Sequence, residues 1–206
     1  TWAVTPSVVK LAHACGAIAV PRDRDVHDTP TPRWGGIAIY AGVIVSIAIT
    51  VSYRHFITYG EHGWNRHLAG ILLAGTFIAL FGMWDDKKDL RATYQILALI
   101  IASGILCFFG VRIDGVTNPF SSHKIAGYAP SDWIQLSIPI SILATVFWVG
   151  LVTKTVDAID GLDGLAAGVC AISAATLALL AAASKQPESP TLALLAAAVV
   201  GSCVGF

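Results

Sequence analysis

Three aspartate-rich stretches hold the residues best suited to chemistry. The first, Asp85-Asp86-Lys87-Lys88-Asp89, directly follows an apolar run ending at Trp84. Adjacent carboxylates repel one another unless a cation or proton lies between them. A helix continuing through this stretch would gather Asp85, Asp86 and Asp89 on one face by i,i+3 and i,i+4 spacing. The second, Asp157-Ala158-Ile159-Asp160-Gly161-Leu162-Asp163-Gly164, repeats aspartate every third residue at the edge of another apolar run. Capping of the next helix explains one of these, Asp163, and leaves the others without a reason. The third covers residues 21–36, where Arg22, Arg24, His27 and Arg33 lie among Pro21, Pro30 and Pro32 and lead into Gly35-Gly36. Proline-stiffened backbone bearing Arg and His can form a fixed anion-binding edge. Short carboxylates, cationic side chains and glycine breaks together suit a divalent cation that holds phosphates, because Mg²⁺ takes one or two carboxylates plus substrate phosphate oxygens. Taken singly, each stretch also fits a polar loop that anchors membrane orientation.

The elements that would position these residues are membrane helices. Of 206 residues, 55% are hydrophobic and 13% charged, and mean hydropathy is +0.70. A soluble domain carries about a quarter charged residues. The apolar excess is gathered into runs long enough to cross a bilayer. Complete spans are expected at 35–53, 68–84, 92–111, 133–152 and 165–183, with an incomplete one at 191–206 and a weaker, interfacial or partial segment at 2–20. The fold class is therefore all-α: a polytopic helical bundle forming one transmembrane domain over 1–206. The chain lacks an initiator Met, carries no signal-peptide pattern and stops inside an apolar run, as expected of a piece of a longer protein. Cys15, Cys107, Cys170 and Cys203 are scattered without C-x-x-C pairing and read as packing residues. A net charge of zero gives no field for a nucleic-acid partner.

Alternation of spans divides the loops between two faces. One face collects eight of the thirteen Lys and Arg residues (Lys10, Arg22, Arg24, Arg33, Lys87, Lys88, Arg91 and Lys154), and the positive-inside rule makes it cytoplasmic. The same face collects nine of the thirteen acidic residues, all of them Asp. Solvation alone would not select Asp so consistently, since Glu is the better helix former.

The order of the motifs, His27, Pro30, Pro32, Arg33, Gly35 and Gly36, then Asp85-Asp86-x-x-Asp89, then Asp160-Gly161-Leu162-Asp163-Gly164, resembles the polyprenyl-phosphate N-acetylhexosamine-1-phosphate transferases. This is glycosyltransferase family 4, related to the phospho-muramoyl-pentapeptide transferases. The resemblance implies a bundle of roughly ten spans. It implies transfer of an N-acetylhexosamine 1-phosphate, such as that of UDP-N-acetylglucosamine, to undecaprenyl or another polyprenyl phosphate with release of UMP. That would be the first membrane step of cell-envelope glycan synthesis, a part of cell wall biogenesis, in the bacterial cytoplasmic membrane. Asp85 and Asp86 would be the catalytic pair beside the lipid phosphate. Asp160, Gly161, Leu162, Asp163, Lys154, His27 and Arg33 would bind substrate. Asp86, Asp160 and Asp163 would lie at Mg²⁺, for which Mn²⁺ could substitute. A homodimer is left open. Two departures stand out. The family carries Asn three and six residues before the first Asp of its D-G-x-D-G motif, where this chain has Asp157 and Lys154. Asp157 adds charge that Lys154 could offset, or Lys154 could contact a phosphate. The family's later Gly-Asp-x-Gly-Ser motif and histidine-rich loop would follow Phe206, so 1–206 would hold only part of the site. The alternative from another class is a cation-coupled transporter or channel, which should carry acids at mid-span. The interiors of 35–53 and 133–152 carry none.

Overall fold

The computed structural model describes residues 1–19, 31–32, 34–57, 66–117, 133–161, 164–184 and 189–206. Their elements are, in order, α1 (Thr5–Cys15), β1 (Ile18–Ala19), β2 (Thr31–Pro32), α2 (Gly35–Ile57), α3 (Arg66–Lys88), α4 (Ala92–Phe108), β3 (Gly115–Thr117), β4 (Trp133–Gln135), α5 (Ile138–Ile159), α6 (Leu165–Ala183) and α7 (Ser189–Val204). Four of these helices, α2, α3, α5 and α6, are long and apolar enough to cross a bilayer, and α4 and α7 are shorter apolar helices. Only 6% of the α5 window and 11% of the α2 and α6 windows are buried within the protein. Side chains such as Leu143, Phe147, Ile172 and Leu179 are exposed and need an apolar solvent, which the hydrocarbon core supplies. The chain is an all-α, multi-pass membrane protein.

Local chemistry moves several boundaries from the hydropathy reading. The span expected at 133–152 is the helix Ile138–Ile159. Pro139 lacks an N–H and therefore belongs in a first helical turn, where it is found. The apolar residues Trp133–Gln135 ahead of it form a strand that pairs antiparallel with Gly115–Thr117. A second small pair joins Ile18 to Pro32 and Ala19 to Thr31. Lys154 and Asp157, expected in a loop, thus lie on the last turns of α5. Helix α4 stops at Phe108 rather than 111, because the N–H groups of Gly110 and Val111 turn back to the carbonyls of Cys107 and Leu106 about a left-handed Gly110. The segment expected at 2–20 is the short helix α1, opened by a proline and closed by left-handed Gly16.

Packing orders the ends of the bundle. Helix α3 packs on α4, α4 on α5, and α7 on both α6 and α2. Val8, Ala12 and Ala17 of the α1 segment bury against Trp34 and Ala38, and Met83 of α3 joins them. The start of α2 is therefore at the same end as the last turns of α3. At that end Gly35 admits the ring of Phe206, whose nearest carbon lies 2.6 Å from where a Cβ would stand. At mid-bundle the Tyr40 hydroxyl donates to the Leu72 carbonyl at 2.8 Å, linking α2 to α3. At the other end Gly70 of α3 lies against Phe109, and a Cβ there would collide with the Phe109 side chain. Gly70→Ala should accordingly destabilise the protein by about 1–3 kcal/mol, read as a lower unfolding temperature in detergent. Gly82→Ala on the same helix meets nothing within 4 Å and should leave that temperature unchanged or raise it.

Candidate active site

The site begins at the turn between α3 and α4. Helix α3 ends at Lys88, and Asp89 takes a left-handed conformation, with φ +45°, which Asp tolerates better than most side chains. Its N–H returns to the Asp85 carbonyl at 2.8 Å. The helix thus ends at Lys88, and Asp89 stands at its left-handed cap rather than on the continued helix that the spacing assumed. Asp85 ties the turn together. Its Oδ1 accepts the Leu90 N–H at 3.0 Å and its Oδ2 accepts a Gln95 Nε2–H at 2.7 Å.

Gln95 sits in the first turn of α4 and passes the contact onward. Its Oε1 accepts from Lys154 Nζ at 2.6 Å, and the same ammonium bonds Asp157 Oδ2 at 3.0 Å, one turn along α5. Side chains of α3, α4 and α5 thus form one line, Asp85–Gln95–Lys154–Asp157, along a cavity of about 220 Å³ walled also by Ile78, Phe81, Leu99 and Thr153. Ligand pockets run about 300–1,000 Å³, so this space suits a phosphate group better than a whole nucleotide sugar. The line carries two carboxylates and one ammonium. The C-terminal ends of α3 and α5, with their partial negative charge, meet at the same place. A divalent cation would relieve that excess, and the N-terminal end of α4 at the same place would favour a phosphate.

The predicted residues fall into three groups. Asp85 and Lys154 come together at the cavity, and Asp157, noted as a departure, joins them there. Asp86 follows Asp85 on the last turn of α3 and is half-buried. Asp160 and Gly161 lie at the exposed C-terminal end of α5, where the Asp160 N–H bonds the Asp157 carbonyl. They do not line the cavity. The N-cap of α6 is Gly164, without a side-chain cap bond. His27, Arg33, Leu162 and Asp163 lie outside the described residues. Among the described residues no group of three His, Cys, Asp or Glu side chains is placed to hold a metal. The carboxylates present fit the Mg²⁺ mode in which one or two carboxylates share the ion with substrate phosphates. Gln95 was not foreseen. Its signal was that of a neutral polar side chain inside an apolar helix beside a charge cluster, which must find a partner.

A second cavity, of about 720 Å³, lies at the opposite end of the bundle. His67 of α3, Arg112 and Asp114 after α4, Ser184 after α6, and Leu192 and Leu195 of α7 line it. Residues 67 and 184 begin and end their helices, whereas residues 85 and 157 lie at the other ends of α3 and α5. The two cavities therefore mark the two faces of the bundle, and both described aspartate motifs belong to the same face.

The family model described as Glycosyl transferase family 4 matches residues 68–206. The decaprenyl-phosphate N-acetylglucosaminephosphotransferase of Mycobacterium tuberculosis is 31% identical over 151 residues, 72% of this chain and 37% of that protein. Its counterpart in Mycobacterium leprae is 31% identical over the same shares. The probable undecaprenyl-phosphate N-acetylglucosaminyl 1-phosphate transferase of Bacillus subtilis is 29% identical over 154 residues, 75% of this chain and 37% of that protein. The chain thus spans 37% of the length of these curated relatives. No solved structure matches it.

Because both oxygens of Asp85 accept from N–H groups, Asp85→Asn turns one N–H donor toward another. It should lower stability by about 1–2 kcal/mol, as expected for a half-exposed charge-assisted pair, measured by thermal unfolding in detergent. Asp157→Asn, which keeps an acceptor for an exposed lysine, should cost less than about 1 kcal/mol.

Proposed function

The chain belongs to glycosyl transferase family 4, and from that premise we propose that the whole protein transfers a sugar 1-phosphate onto a polyprenyl phosphate. The donor is a UDP-N-acetylhexosamine, with UDP-N-acetylglucosamine the first to test given the names of the relatives. One observation carries the reading. Two aspartate motifs 72 positions apart in sequence, Asp85 and Asp157, line the same cavity at one end of a membrane bundle.

In the reaction an oxygen of the lipid phosphate attacks the β-phosphorus of the UDP-sugar. The bond between that phosphorus and the bridging oxygen breaks, giving polyprenyl diphosphate sugar and UMP. Both reactants are anions, so positioning and charge neutralisation carry most of the catalysis. Asp86, with Asp160 and Asp163 from the second motif, would hold Mg²⁺, or Mn²⁺ in its place. When bound, that ion neutralises phosphate charge and orients the two groups in line. The Asp85–Asp86 pair takes the remaining proton of the lipid phosphate, and the turn around Leu90 keeps the first carboxylate fixed. Lys154 offers a positive charge to a phosphate oxygen. Asp160, Gly161, Leu162 and Asp163 receive the nucleotide, while His27 and Arg33 add anion contacts from the first motif.

The Lys and Arg distribution supports placing this face in the cytoplasm of a bacterium, where soluble nucleotide sugar is available. The isoprenoid tail meanwhile stays among the exposed apolar helix surfaces. The test is transfer of radiolabelled sugar phosphate from UDP-N-acetylglucosamine to polyprenyl phosphate by the full-length protein. Chelation should abolish transfer and Mg²⁺ restore it. Asp86→Asn and Asp163→Asn should each lower kcat by about 10²-fold or more. Full activity in both variants would overturn the site assignment. Na⁺- or H⁺-coupled flux without transfer would favour a transporter.

A further inference from the structure

We infer that Gln95 is a positioning residue for this reaction, its amide holding the Asp85 carboxylate and the Lys154 ammonium at a set separation across the cavity. The inference rests on the transfer reading of the site. A side-chain amide has donors on one side and an acceptor on the other. Here its two neighbours leave no choice of orientation, since a carboxylate only accepts and an ammonium only donates. Flipping the amide would place oxygen against carboxylate and N–H against ammonium, losing both the 2.7 Å and the 2.6 Å bonds. Gln95 is half-buried, and its helix α4 packs against both α3 and α5, so the amide is carried on the element between the two charged groups.

The arrangement answers a need of the lysine. A lysine reaches its target on a flexible four-carbon stem and left to itself would swing toward a carboxylate. Gln95 and Asp157 occupy two of its three N–H donors, fixing the ammonium and keeping it from pairing directly with Asp85. The carboxylate and the cation then meet their substrates at a constant offset, and small errors in such an offset cost up to about 10²-fold in rate.

The line of donors and acceptors has the same count when amide and ammonium exchange places. In the double variant Gln95→Lys/Lys154→Gln, the ammonium at position 95 donates to Asp85 and to the amide oxygen at 154, whose N–H donates to Asp157. Gln95→Lys alone puts two ammonium groups side by side. Lys154→Gln alone leaves two carboxylates without a cation. The experiment measures kcat and KM for the full-length protein with UDP-N-acetylglucosamine and polyprenyl phosphate, and the unfolding temperature of every variant. Gln95→Leu should lower kcat by about 10–100-fold and leave KM for the sugar nucleotide within about threefold, because positioning acts on the transition state. Each single exchange should lose at least about tenfold, and the double exchange, which restores the donor–acceptor line while leaving the cation displaced, should exceed the weaker single by at least about tenfold. If Gln95→Leu fails to fold, the exchange series decides the matter alone. Wild-type kcat in Gln95→Leu, an effect confined to KM, or a double exchange no better than the weaker single would overturn the role of Gln95 alone. Absence of transfer by the wild-type protein would overturn the functional reading, and this role with it.

Discussion

Carboxylates crowded at the C-terminal ends of two helices are held where electrostatics opposes them. Asp85 and Asp86 close α3, and Asp157 and Asp160 close α5, each beside the partial negative charge of a helix end. Lys87 and Lys88 in the last turn of α3 meet that charge in the ordinary way, whereas the last turn of α5 has no basic residue. What makes the arrangement tolerable is a set of donors brought in from neighbouring elements: the Leu90 N–H, the Gln95 amide and the Lys154 ammonium. Around the cavity itself, the carboxylates of Asp85 and Asp157 outnumber the one ammonium of Lys154. On the proposed transfer reaction, a divalent cation carrying phosphate ligands would neutralise that excess.

The bilayer explains why such a site can form from distant pieces of sequence. Backbone polar groups inside hydrocarbon must be satisfied within helices, so chain reversals are confined to the two faces. A chain that crosses repeatedly has only two places to put its loops, and alternate loops share a face. The ends of α3 and α5 meet across α4 for this reason, and the charges that cannot enter lipid collect where they meet. The short reversal at Asp89 to Arg91 keeps α4 against α3 and brings Gln95 within reach of Asp85. On the proposed reaction, an acceptor with a lipid tail and a donor from water would both reach a site at this depth.

Much of this was legible in the residues. The spans that became α2, α3 and α6 show as long apolar runs; Asp85 was singled out by charge at a membrane edge, and Lys154 as a departure from the family's motif. Hydropathy alone misplaced α5 because it weighs Trp133 and Ile134 as span residues. It does not see that Pro139 must open a helix or that the preceding three residues can pair with Gly115–Thr117. That shift moved Lys154 and Asp157 from a loop onto a helix, one turn apart, where they form an ion pair. The expected helix through Asp89 ends one residue earlier, with Asp89 as a left-handed residue in the turn. Gln95 was overlooked because a single neutral side chain carries little signal until its two charged neighbours, 10 and 59 residues away, are brought to it.

A shared site requires one face of the membrane to gather the ends of α3 and α5. Single cysteines at Lys88 and Ala158, with a third at Asp114 for the opposite face, can be placed in the full-length protein after its native cysteines are replaced. A membrane-impermeant maleimide applied to sealed vesicles of known orientation then reports which side each occupies. Residues 88 and 158 should label together from one side, and residue 114 only from the other. Labelling of 88 and 158 from opposite sides would contradict the shared site.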